Sequence, residues 1–125
     1  MKTILIVDDE FDMLTVWRLL LEQCGYAVFT ASNGALALDR IREGKPDLIV
    51  TDFMMPVMSG GELCAVLASE PDWRTIPIIL CSAAVDIPPQ PNPSILYARK
   101  PLSFDALLGM VRRQLGEAAG RSESG

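Results

Sequence analysis

The feature that most limits how this chain folds is a regular alternation between two kinds of segment. Short apolar runs recur at Thr3 to Val7, Ala27 to Thr30, Asp47 to Thr51, Ile76 to Cys81 and Ile95 to Ala98. Runs of this kind suit strands buried on both faces of a sheet. Between them, apolar residues repeat at helical spacing: Leu14, Trp17, Leu21 and Cys24; then Ala35, Leu38 and Ile41; then Leu63, Val66 and Leu67. Phe104, Leu107, Leu108, Val111 and Leu115 trace a last amphipathic helix. Punctuation agrees with this division. Gly25 suits a helix C-cap, Ser32-Asn33-Gly34 offers N-cap chemistry, and Gly44 with Pro46 ends the second helix. Pro71 stops the third, and Pro77 stands near a strand start, where proline is tolerated. Strands alternating with helices predict an α/β fold with a parallel sheet and right-handed crossovers.

The chain has 125 residues, half of them hydrophobic, enough for one domain with one core. Its last stretch, GEAAGRSESG, is small and polar. The expected organisation is one domain over residues 1–116 and a disordered tail over 117–125.

Ligands of open α/β sheets bind beyond the carboxyl ends of the strands. There this sequence places Asp8-Asp9-Glu10 after the first strand, Asp52 after the third, Ser82 after the fourth and Arg99-Lys100-Pro101 after the fifth. Three carboxylates brought together repel one another unless a cation neutralises them. A hard divalent ion such as magnesium suits oxygen ligands of this kind. Lys100 offers a compact positive charge to Asp52 or to a phosphoryl oxygen, and the Ser82 hydroxyl can donate to the same oxygens. In such a setting Asp52 is a candidate nucleophile. Any one of these groups alone is ordinary: an acidic pair often opens a helix, and a lone serine usually turns or caps the chain. Their joint placement carries the reading.

Composition removes other chemistries. The chain contains no histidine, which excludes Ser-His-Asp and Cys-His catalysis and histidine-bound metals. Cys24, Cys64 and Cys81 are too few and too far apart for a disulfide framework or a zinc site, and are expected as buried thiols in a reducing compartment. A net charge of -5 argues against nucleic acid or an anionic membrane as direct partner. The start MKTILIVDDE runs into acids too soon for a signal peptide or a membrane span, so a cytoplasmic protein is expected.

With ILIVDDE (residues 4 to 10), DLIVTDFMMPVMSG (47 to 60), PIILCSA (77 to 83) and YARKP (97 to 101), the chain resembles the receiver domain of bacterial two-component response regulators. The resemblance runs from residue 2 to about residue 116. It implies a flavodoxin-like, doubly wound sheet of five parallel strands. It further implies that Asp52 is the phosphoacceptor, and that Asp8, Asp9 and Asp52 hold Mg2+ together with the Met54 backbone carbonyl. Ser82 and Lys100 would contact the phosphoryl group, Ser82 and Tyr97 would act as switch residues, and the Lys100-Pro101 bond would be cis. Such a protein is a signalling switch that catalyses its own phosphoryl transfer and loss, not an enzyme in the usual sense. Its donor would be a histidine kinase or a phosphotransfer protein. With no output domain expected after Leu115, its output would be binding of a partner protein. A constitutive interaction module of the same fold is a weaker alternative, because the acids, Ser82 and Lys100 are all present. A phosphate-binding enzyme is weaker still, since no glycine-rich loop follows the first strand.

Two positions that influence dephosphorylation in the family are apolar here, Met54 and Ala84. The family also places a helix between the fourth and fifth strands. This chain has AAVDIPPQPNPS at residues 83 to 94, with Pro88, Pro89, Pro91 and Pro93. An interior proline costs a helix about 3 kcal/mol. That helix is therefore expected to be missing or reduced to one turn, replaced by an extended loop, leaving Tyr97 less covered.

Overall fold

The computed structural model describes residues 1–83 and 94–117. Five strands and four helices follow one another among them: β1 (Thr3–Val7), α1 (Phe11–Gln23), β2 (Ala27–Ala31), α2 (Gly34–Glu43), β3 (Leu48–Asp52), α3 (Gly60–Ser69), β4 (Ile78–Ser82), β5 (Ile95–Arg99) and α4 (Phe104–Gln114). All strand pairs are parallel, in the order β2-β1-β3-β4-β5. This is the parallel α/β sheet that the alternation predicts, in the doubly wound, flavodoxin-like arrangement that the resemblance implies.

Period-two alternation along the strands divides the core between the two faces. Leu5, Val7, Ile49, Ile78 and Leu80 face α2 and α3, packing with Leu38, Ile41, Leu63 and Leu67. Ile4, Ile6, Leu48, Val50 and Ile79 face α1 and α4, packing with Leu14, Leu21, Leu107 and Val111. The central strands β3 and β4 are buried throughout, whereas β2 and β5 form the sheet edges.

Local chemistry sets the helix ends. The Asn33 side chain accepts from the Leu36 amide, and Ser103 accepts from the Ala106 amide. Ser59 and Glu62 form a reciprocal capping box at α3. After α1, Gly25 takes a φ of 95° and its amide donates to Glu22, while the Tyr26 amide donates to Leu21.

Several sequence expectations shift. Cys24 lies past the end of α1 and is exposed, so only Cys64 and Cys81 are the buried thiols expected. Burial pushes the Cys64 thiol up to about 11 and the Cys81 thiol up to about 12. Asp47 precedes β3 rather than opening it, with its carboxylate accepting from the Thr3 amide at 2.7 Å. Strand β4 begins two residues after Ile76, and both β3 and β4 extend one residue further, to Asp52 and Ser82. The expected loss of a helix between β4 and β5 falls on residues 84–93, outside the described residues, as does Ala84. Glu117 belongs to the described fold, and the rest of the expected tail, 118–125, lies outside it.

Candidate functional site: an acidic cluster at the strand ends

The register of the sheet assembles the site. Val7 pairs with Thr51, so the next residues, Asp8 and Asp52, emerge side by side. Asp52 pairs with Cys81, Ser82 follows, and Ser82 pairs with Arg99. The Lys100 amide then donates to the Ser82 carbonyl at 2.9 Å, which keeps Lys100 beside the acids. The Lys100-Pro101 peptide is cis.

Carboxylate oxygens of Asp8, Asp9 and Asp52 lie within 4.8 Å of one another. Asp8 and Asp52 are buried, at 5% and 9% exposure, and Asp9 is exposed. Lys100 Nζ lies 3.0 Å from Asp52 Oδ1 and 3.8 Å from Asp8 Oδ2. Asp8 Oδ1 also accepts from the amide of Glu10, the residue just before α1, at 2.9 Å.

Charge and burial work against each other here. Desolvation raises the Asp8 pKa above its ordinary value, and the neighbouring Asp52 and Glu10 charges add to it. The Glu10 amide and Lys100 offset only part of this. Burial disfavours the Lys100 ammonium, but the hydrogen bond and charge of Asp52, with the charge of Asp8, outweigh it and raise the Lys100 pKa. One lysine against three acids leaves net negative charge in a partly buried place. An oxygen-only cluster of this spacing could hold a hard divalent cation.

Of the other expected site residues, Ser82 is buried at the end of β4. Met54 lies two residues past Asp52, with its side chain turned to solvent. Tyr97 is on edge strand β5, opposite Leu80, and 37% exposed. A cavity of about 190 Å³ opens beside the acids, bounded also by Met13, Trp17 and Leu102.

The sequence reading assigns Gly60 no role. A Cβ on Gly60 would collide with the Asp52 carbonyl oxygen and would come within 2.9 Å of Leu80 Cδ1. The first turn of α3 therefore presses directly on the backbone of Asp52. The available signal was the Gly60-Gly61 pair opening a helix, where better helix formers would otherwise be expected.

Residues 4–91 match the family model for the response regulator receiver domain. This chain is a member of that receiver domain family. It is 43% identical over 82 residues to the alkaline phosphatase synthesis transcriptional regulatory protein PhoP of Bacillus subtilis; the match covers 66% of this chain and 33% of PhoP. It is 31% identical over 121 residues to the polar-differentiation response regulator DivK of Brucella anthropi, covering 94% of this chain and 98% of DivK. The match thus spans about a third of PhoP but nearly all of DivK. Among solved structures, the response regulator TrrA of Thermotoga maritima in complex with Mg2+-BeF superposes with a TM-score of 0.79. It shares 31% identity, and the match covers 91% of this chain and 99% of that one. No helix among the described residues of this receiver domain is long and apolar enough to cross a membrane.

Proposed function

We propose that this receiver domain accepts a phosphoryl group on Asp52, in a reaction that needs Mg2+, and that the phosphorylated form changes which protein it binds. The observation that carries the reading is the convergence of Asp8, Asp9, Asp52 and Lys100. Three carboxylates lie within reach of one ion, and Lys100 Nζ lies 3.0 Å from Asp52 Oδ1. The Mg2+-BeF bound to TrrA supports it by similarity.

Asp8, Asp9 and Asp52, with the Met54 backbone carbonyl, would hold the ion. The bound ion would supply positive charge to the phosphoryl oxygens. A carboxylate oxygen of Asp52 attacks phosphorus; the bond from phosphorus to the donor's leaving atom breaks, and its electron pair departs with the donor. Lys100, already drawn toward Asp52, transfers its hydrogen bond to a phosphoryl oxygen. The Ser82 hydroxyl donates to another, and Tyr97 responds on β5. Water returns Asp52 to its carboxylate, releasing inorganic phosphate. The protein thus promotes both its own phosphorylation and its own recovery. With Met54 apolar and turned to solvent, its side chain offers that water no hydrogen bond.

The donor fitting this site is a phosphohistidine of a histidine kinase or a phosphotransfer protein. Phe11, Met54 and Val57 leave large apolar side chains exposed near the acids, which suits docking of a protein donor. The test is incubation with a small acyl-phosphate donor and Mg2+, followed by intact mass measurement. One phosphoryl group, labile to alkali and to hydroxylamine as an acyl phosphate is, is expected on the wild type and none on Asp52→Asn. The same modification persisting in Asp52→Asn would overturn the assignment.

A further inference from the structure

We propose that Gly34 and Met58 form a seat through which α2 sets the position of the loop between β3 and α3, and with it the Met54 carbonyl at the cation site. The inference rests on the function proposed above and adds a positioning role for two residues outside the acidic cluster.

Gly34 is the first residue of α2 and is buried. Its backbone is not in the left-handed region, so conformation does not call for glycine. Glycine is also a poor helix former, about 1 kcal/mol worse than alanine inside a helix. The reason for it lies across the gap. A Cβ at Gly34 would stand 2.7 Å from Met58 Cγ and 2.9 Å from Met58 Cβ and Sδ. The Gly34 amide also donates to the Met58 carbonyl at 3.3 Å. Met58 therefore rests its side chain on the bare Cα of Gly34.

Neighbouring contacts hold this loop where its own preferences would not. Val57 has a φ of 69°, a region β-branched residues avoid, and the Met58 amide donates back to the Pro56 carbonyl at 2.7 Å. The Val57 side chain is 80% exposed, so its own burial does little to offset the strain. What fixes the turn is the Met58 seat on one side and α3 on the other. There the Gly60 amide donates to the Phe53 carbonyl at 2.9 Å, and Ser59 and Glu62 lock the helix start. Met54 lies between Phe53, held by the Gly60 amide, and Met58, held by Gly34, in a stretch too short to absorb a displacement of Met58 without moving. A push at α2 is thus felt at the cation site.

The experiment is Mg2+ titration of the full chain, followed by intrinsic fluorescence, since Trp17 borders the cavity beside the acids. Gly34→Ala is expected to weaken Mg2+ binding about tenfold, the scale seen when a group supporting a metal ligand is lost, with its metal-free circular dichroism unchanged. Met58→Ala alone is expected to weaken binding several-fold. Adding Gly34→Ala to Met58→Ala should weaken binding less than Gly34→Ala does in the wild type, because the contacts with Met58 Cγ and Sδ are gone and only the one with Cβ, at 2.9 Å, remains. The seat is overturned if Gly34→Ala binds Mg2+ like the wild type, or weakens binding equally in the Met58→Ala background. Should Gly34→Ala not fold, wild-type affinity in Met58→Ala overturns it. A wild type that neither binds Mg2+ nor is phosphorylated would sink the proposed function itself. A competent wild type with an indifferent Gly34→Ala would sink the seat alone.

Discussion

Lys100 is held between two carboxylates, and in the metal-free protein it carries the main compensation for their burial. Its side chain is 26% exposed, so solvent screens part of the attraction. Lys100→Ala should keep the fold but destabilise the metal-free protein by about 1–2 kcal/mol, since buried acids lose their partner. Saturating Mg2+ should recover most of that deficit, while phosphorylation stays slow. A melt with and without Mg2+ reads the first two effects, and a phosphorylation time course reads the third. Asp9 behaves differently because it is exposed. Asp9→Ala should leave the metal-free melting temperature equal to or above that of the wild type, by relieving repulsion, yet lose most Mg2+ affinity. A metal-free melting temperature well below the wild type would contradict this. These residues were legible because each follows an apolar run, and strand ends in such sheets share one edge. The Asp8 contact with the Glu10 amide and the approach of Gly60 to Asp52 were not legible. The second depends on a distance through space that no spacing rule encodes; the first is a local turn contact, two residues apart, that was not read.

At the scale of elements, α4 is tied down at its far end by more than its apolar stripe. Gln114 donates to the carbonyls of Ile78 and Ser94, both at 2.8 Å, bridging the starts of β4 and β5. Just beyond, the Tyr26 hydroxyl donates to Glu117 at 2.6 Å, joining the end of α4 to the entry of β2. Burial, with the Glu117 hydrogen bond and charge, pushes the Tyr26 hydroxyl up to about 12 from 10.0. Between these values the unfolded chain has released a proton that the fold still holds, so stability falls as pH rises. Tyr26→Phe should cost about 1 kcal/mol near neutral pH. The gap between wild type and variant should shrink as pH climbs from about 10 toward 12. Urea titrations of both proteins at several alkaline pH values check this; a gap that widens would refute it. The stripe of α4 could be read from its period, and the cap of α2 from Ser32-Asn33-Gly34. Cys24 misled because the helical spacing continues one step past the point where Gly25 ends the helix. The long-range ties of Gln114 and Glu117 left no periodic mark.

Over the whole molecule, an ion that binds only the folded protein stabilises it by mass action. Once the site is saturated, each tenfold rise in Mg2+ should add about 1.4 kcal/mol to the unfolding free energy. The melting temperature should therefore climb steadily with the logarithm of Mg2+ concentration in the wild type and stay flat in Asp9→Ala. Parallel slopes in the two proteins would place the ion elsewhere. The overall architecture was the most legible level, because five apolar runs and four amphipathic stretches leave few other ways to cover both faces of a parallel sheet. The register that brings Asp8 level with Asp52 was less so, since it depends on pairing between strands distant in sequence. The bond between Tyr26 and Glu117 has a practical consequence. It holds the last described residue at the pole away from the acids, five strand residues or about 17 Å along the sheet. A fluorophore or surface tether attached beside the Tyr26–Glu117 contact would stand clear of the acidic cluster, and the protein could be immobilised or labelled there with that cluster still open to solution.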